Sequence, residues 1–170
     1  SSDLFAKTLR GRISDDNGTL AVSLDESQLP AQVVKELANG TLTRVRVIGQ
    51  GTAAIAGRSL ANLLRQLTQD RIRVDALPAT ELSGFGLQLD MRDTLIVAIS
   101  QSGTTTDTNR TVDLARSRGA RVVAIVNRRG SELTAKADGV IYTSDGRDVE
   151  MSVASTKAFY AQVEIGRAHV

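Results

Sequence analysis

Between positions 100 and 108 the chain gathers hydroxyl side chains, Ser100, Ser102, Thr104, Thr105, Thr106 and Thr108, around one glycine, Gly103. Hydroxyls donate to phosphate oxygens without adding charge, and a glycine lets main-chain N–H groups come close to an anion. An uninterrupted apolar run, LIVAI at 95–99, leads into this cluster. From Asn109 the spacing turns helical, with Val112, Ala115 and the stem of Arg116 on one side. A strand, a hydroxyl-rich turn and a helix together aim backbone N–H groups and the positive end of a helix dipole at one spot. The chemistry this suits is an oxyanion cradle, for a phosphate above all. A plain turn and helix cap would also favour Ser and Thr, but a cap uses one or two hydroxyls, not six.

The elements that hold the cradle follow from composition and rhythm. At 170 residues the chain fits one domain, which buries roughly two-thirds of its unfolded surface. Aromatic residues make up only 3%, so the core must be built from Val, Ile, Leu and Ala, which argues against stacking platforms for single-stranded nucleic acid. The 21 basic and 19 acidic residues are interspersed, leaving no basic stripe to track a polyanion despite a pI of 9.3. No nucleic-acid partner is expected. The absence of cysteine excludes disulfides, thiolate zinc sites and thiol catalysis. No cofactor, metal ligand set or catalytic residue is assigned. No apolar run reaches membrane-spanning length and no signal-peptide pattern opens the chain, so no membrane association and a cytoplasmic location are expected.

The spacing predicts a helix over 3–12, a turn at Asp15-Asp16-Asn17-Gly18, and a short strand on Leu20, Val22 and Leu24. It also predicts a helix with Pro30 at its first position, stopped by Asn39-Gly40. From Thr43 strands and helices alternate. Strands are expected at 45–48, 72–75, 95–99, 122–126 and 140–143. Helices are expected from the glycine-rich turn at Gly49 to about 69, to 118 with Gly119 as the stop, and over 131–137, with a loop or short helix at 78–86. This pattern implies an α/β fold, a three-layer α/β/α doubly wound sandwich on a five-stranded parallel sheet. Ligands in such sheets lie beyond the carboxyl ends of the strands. That rule puts 49–54, 100–106 and the segment after Asn127 along one edge. The expected division is a lead segment at 1–40, the main domain at 41–163, cut short at its C-terminal end, and a tail at 164–170.

Other motifs compete. Gly49-Gln50-Gly51-Thr52-Ala53-Ala54 after a strand partly matches a dinucleotide fingerprint, with Asp75 at the end of the next strand as the ribose acid. It leaves the hydroxyl turn unexplained. A P-loop is absent. Asp145, Arg147, Asp148 and Glu150 read as a solvated loop, and Glu81 is either a helix-start acid or a site residue. Lys157 near a helix start, where the dipole disfavours a cation, hints at an anionic neighbour.

Ser100-Gln101-Ser102-Gly103-x-Thr105-x-Asp107-Thr108, with DGVIYT at 138–143 and VASTKAF at 153–159, resembles the first sugar-isomerase (SIS) domain of the glutamine–fructose-6-phosphate aminotransferase family. Gly51-Thr52, ATEL at 79–82 and TLRGR at 8–12 fall where that family has related segments, and the resemblance runs nearly the whole chain to Gln162. It implies a flavodoxin-like SIS fold in which Ser100, Gln101, Ser102 and Thr105 hold the phosphate of fructose 6-phosphate. Thr52, Val153 and Ser155 would assist, with Gly51, Gly103, Thr104 and Lys157 as further candidates. The chain departs from the family pattern at Gln50 and Ala53, where cysteine and serine are usual, at Thr104, where glutamate is usual, and at Ser152, where glycine is usual. The resemblance further implies an intact enzyme that makes glucosamine 6-phosphate from fructose 6-phosphate and glutamine, and self-association through SIS domains. The family's ring-opening histidine, proton-shuttling glutamate and Schiff-base lysine belong to later sequence, and its glutamine-hydrolysing domain lies upstream. The alternatives are a non-catalytic SIS module that senses a phosphosugar, and an NAD(P)-binding Rossmann domain.

The tail stands apart. Glu-Ile-Gly-Arg-Ala-His-Val at 164–170 is the translation of GAGATCGGAAGAGCACACGTC, a string similar to sequencing-adapter DNA. The tail, with the sole histidine His169, is therefore expected to be foreign to the fold, and its removal should leave thermal stability unchanged.

Overall fold

The structure, a computed structural model, describes residues 13–16, 19–22 and 24–143. The helix expected at 3–12, the charged run at 145–150, the candidates Val153, Ser155 and Lys157, and the tail at 164–170 lie outside the described residues. Strands β1 (Ile13–Asp16) and β2 (Thr19–Val22) form an antiparallel pair with Ile13 opposite Val22. Asp15 and Asp16 therefore belong to a strand, not to the expected turn. That leaves Asn17-Gly18 between the strands, the residue pair that two-residue hairpins favour. Helix α1 (Ala31–Ala38) starts one residue later than expected, with Pro30 flanking it, and ends at Asn39 before Gly40 at φ +76°.

The main sheet has five parallel strands in the order β4-β3-β5-β6-β7. In chain order these are β3 (Arg44–Gly49), β4 (Arg73–Pro78), β5 (Thr94–Ser100), β6 (Arg121–Val126) and β7 (Gly139–Tyr142). Between them run α2 (Thr52–Thr68), α3 (Ala79–Glu81) continuing as a π-helical turn over Leu82–Gly86, α4 (Thr106–Ser117) and α5 (Glu132–Lys136). All seven residues of β5 are buried, which explains why its sequence is apolar throughout rather than alternating. Leu95, Val97 and Ile99 enter a core with α1 and α2 residues Val33, Leu60 and Ala61. Ile96 and Ala98 enter a second core with Leu82, Val112, Ala115 and Leu133. Period-two alternation across one strand thus feeds both faces, and the expected three layers are present. β4 runs on to Pro78, further than expected; it is an edge strand, where a missing N–H is tolerated. Among the described residues no helix is long and apolar enough to cross a membrane.

One ion pair ties the first helix to the sheet. Arg121, at the start of β6, donates from Nε and Nη2 to Glu36 of α1 at 2.8 and 2.7 Å. This fork, with a further hydrogen bond from Gln32, lowers the Glu36 carboxyl from 4.5 to about 2. A depressed carboxyl stabilises the fold fully above its unfolded pKa and loses that contribution as pH falls through the folded value. Melting temperature should therefore fall between pH 4.5 and about 2 more steeply in the parent than in Glu36→Gln. Parallel melting curves recorded across that range check this; equal slopes would show that the pair contributes nothing.

Candidate functional site

The strand order reverses at β3, which has β4 on one side and β5 on the other, so the switch point lies between β3 and β5. At such a switch point the loops after adjacent strands diverge and leave a crevice. One wall is the turn after β5. Ser100 is buried, and its Oγ accepts the Gly103 N–H at 3.0 Å and lies 3.4 Å from Thr105 Oγ1, so this hydroxyl closes the turn from beneath. Gly103 sits at φ +66°, and a Cβ there would overlap the Ser131 side chain, within 2.6 Å of its own Cβ. The Gly103 carbonyl accepts the Leu133 N–H at 3.0 Å and Asn109 Nδ2 at 3.1 Å, and the same amide reaches the Thr105 carbonyl at 3.1 Å. The Gln101 carbonyl takes the N–H groups of Asn127 and Arg128 at 3.2 and 3.3 Å. The loop between β6 and α5 therefore braces the turn from one side and Asn109 from the other. This makes the turn rigid before any ligand arrives.

Helix α4 begins at Thr106, earlier than the apolar spacing predicted. Thr105 flanks it in an extended conformation (φ −61°, ψ 115°) and makes no side-chain capping bond. The turn-and-cap explanation of the hydroxyl cluster accounts for Ser100 but leaves the first-turn N–H groups of α4 without a side-chain cap. Those are the groups an anion satisfies. Ser102 Oγ accepts from the Thr104 N–H at 3.3 Å and the Thr104 hydroxyl at 3.1 Å, so its own proton remains to be donated. Gln101, Ser102 and Thr105 are half-buried and Thr104 is exposed, as a rim should be. Thr108 is different. It is fully buried, with no hydrogen-bond partner for its hydroxyl among the described residues, and so takes no part in the rim.

The other wall follows β3. Gly51 at φ +57° precedes α2, and Thr52, half-buried, opens that helix, again without a side-chain cap. Ala53 is 7% exposed and belongs to the core, so the position where the resemblance would place a hydroxyl instead contributes packing. Gln50 crosses the crevice: its Nε2 lies 3.3 Å from Thr80 Oγ1 and 3.3 Å from Asp107 Oδ2. The turn residues Gly51, Thr52, Ser100, Gln101, Ser102, Gly103, Thr104 and Thr105 thus lie at the carboxyl edge of neighbouring strands. Sequence reasoning missed Asn109 and Ser131, which shape the cradle, and the bridging role of Gln50. An asparagine one turn inside a helix that opens with hydroxyls was the available signal for Asn109.

One expectation is corrected. Asp75 is the third residue of β4, not its end, and its carboxylate is engaged by Arg46 at 3.1 Å and Arg73 at 3.2 Å. The acid that a dinucleotide ribose would need is therefore already paired. Glu81 is exposed in the first turn of α3, as a helix-start acid would be. Among the described residues the turn at 100–106 contains no cation, and Arg129 in the bracing loop lies over the Tyr142 ring at 4.4 Å. Among the described residues no group of acids, histidines or cysteines could hold a metal ion. A pocket of about 470 Å³ opens at the far end of the sheet, lined by Thr41, Arg44, Gln88, Asp90, Arg92 and Asp93. Its charges pair off, Arg44 with Asp93 at 3.1 Å and Arg92 with Asp90 at 2.6 Å, so it offers an anion no unpaired cation.

Residues 42–170 match the SIS domain family. The chain belongs to that family. This SIS domain is 43% identical over 158 residues to the glutamine–fructose-6-phosphate aminotransferase (isomerizing) of Streptomyces coelicolor, covering 93% of the chain and 24% of that protein. It is 39% identical over 161 residues to the aminotransferase of the same name from Mycobacterium leprae, covering 95% of the chain and 24% of the relative. The chain therefore spans about a quarter of the length of these curated relatives. Among solved structures, the C-terminal domain of glucosamine-fructose-6-phosphate aminotransferase from Francisella tularensis superposes with a TM-score of 0.65 at 23% identity, over 86% of this chain and 43% of that one. At that identity the likeness concerns the fold. The expected α/β class and five-stranded sheet agree with it.

Proposed function

We propose that this SIS domain grips the phosphate of a phosphosugar, fructose 6-phosphate, at the switch point between β3 and β5. The observation that carries the reading is the N-terminus of α4, which has no side-chain cap and sits beside the hydroxyls of Ser102 and Thr105. Binding there uses neutral donors and the helix dipole, with no cation from the described residues. The SIS family match and the names of the aminotransferase relatives support a phosphosugar over inorganic phosphate. Val153 and Ser155, with Lys157 as a further candidate, would complete the grip from beyond the described residues.

In this reading the chain is part of an aminotransferase that converts fructose 6-phosphate and glutamine to glucosamine 6-phosphate, and the parts that do the chemistry lie elsewhere in that protein. General acid–base catalysis needs a group matched to the operating pH, and residues 1–163 contain no histidine. The chain should therefore raise its melting temperature with added fructose 6-phosphate, by mass action on the folded state. It should form no glucosamine 6-phosphate from fructose 6-phosphate with glutamine or ammonia. Product above a protein-free control would overturn the division of labour, and an unmoved melting temperature at millimolar ligand would overturn the binding.

A further inference from the structure

We infer that Gln50 is a specificity-determining residue, which reads the hydroxyl groups of the sugar while the β5 turn holds its phosphate. This deepens the phosphosugar reading above and rests on it. Gln50 directly follows β3, and its side chain links segments 30 and 57 residues away, at Thr80 and Asp107. A primary amide has two N–H donors and one acceptor oxygen. Here Nε2 faces both acceptors, whereas Oε1 has no hydrogen-bond partner among the described residues. Both contacts measure 3.3 Å, longer than the roughly 2.9–3.0 Å usual for N–H···O bonds, so the amide is oriented without being locked.

Placement gives this end of the amide its use. Asp107 lies in the first turn of α4, next to the N–H groups proposed to hold the phosphate, so a ligand seated there extends across the crevice that Gln50 spans. A phosphate offers acceptors, which the cradle meets with donors. A sugar also offers hydroxyl donors, and a neutral carbonyl oxygen accepts from them without repelling the phosphate. Anchoring Nε2 on Asp107 and Thr80 fixes which end of the amide is presented. An amide held this way distinguishes a polyol phosphate from bare phosphate.

The test uses the 170-residue chain and two ligands, fructose 6-phosphate by calorimetry and inorganic phosphate by competition against it. Gln50→Ala and the similarly sized, uncharged Gln50→Met, which loses the donors and the acceptor oxygen alike, should weaken fructose 6-phosphate at least fivefold. Inorganic phosphate should stay within about twofold of the parent. The methionine variant keeps the test open if the alanine variant fails to fold. Equal losses for both ligands would make Gln50 a brace of the phosphate loop and overturn the inference, as would unchanged affinity for fructose 6-phosphate. If the parent binds neither ligand, the phosphosugar reading itself falls; if the parent binds and the variants bind as it does, the inference about Gln50 falls alone.

Discussion

Replacing Ser102 or Thr105 by alanine should weaken fructose 6-phosphate binding by about tenfold to a hundredfold. A hydrogen bond to a charged group contributes roughly 1.5–3 kcal/mol, and each 1.4 kcal/mol or so is a factor of ten in affinity. Ser102 Oγ already accepts two bonds from Thr104, so the lost function is donation to the ligand. Thr105 flanks α4 without capping it, and its hydroxyl is engaged only by a long 3.4 Å contact with Ser100 Oγ, which a ligand oxygen would replace. Neither side chain carries the fold; both are half-buried at the surface of the turn, and melting temperatures should change little. Ser102→Asp should abolish measurable binding, because a carboxylate against a phosphate adds like-charge repulsion to the lost donor. Calorimetric titration of the folded variants checks the series.

Gly103→Ala should be among the most destabilising small substitutions in the described chain, by roughly 2–4 kcal/mol. Two costs combine. The residue sits at φ +66°, and the added methyl would run into Ser131, which the bracing loop holds in place. Gly130 provides the control: at φ +63° it has nothing within 4 Å of a Cβ, so Gly130→Ala incurs the backbone strain alone, roughly 1–2 kcal/mol. Removing the obstacle with Ser131→Gly should recover part of the Gly103→Ala loss, a coupling that a double-mutant cycle in urea measures. If Gly103→Ala costs no more than Gly130→Ala, the packing of the loop between β6 and α5 on the cradle is not as described.

What the sequence revealed and what it hid have physical causes. The run at 95–99 announced a strand buried on both faces because burial leaves no polar alternation to confuse it. Val112 and Ala115 announced α4 because they face the core, while Thr106, Asp107 and Thr108 hid its first turn. Thr106 and Asp107 are exposed and Thr108 is a buried hydroxyl, so hydrophobic period could not register them. The carboxyl-edge location of the site followed from the strand–helix alternation alone. The contacts that shape the site did not. Ser131 against Gly103 and Gln50 against Asp107 join residues far apart in the chain, and no local pattern encodes such pairs. Asp75 misled for a related reason. Its arginine partners are Arg46 on the neighbouring strand and Arg73 two residues before it, and only the sheet register shows the carboxylate engaged.

In the proposed site a helix N-terminus and hydroxyls, with no cation among the described residues, recognise the phosphate of a sugar. Calorimetry of the parent chain with fructose 6-phosphate and with unphosphorylated fructose tests it most directly. The account predicts saturable binding of fructose 6-phosphate that Ser102→Ala weakens about tenfold or more, and no measurable heat from fructose. Binding of fructose as strong as that of its phosphate, or parent-like affinity in Ser102→Ala, would contradict it.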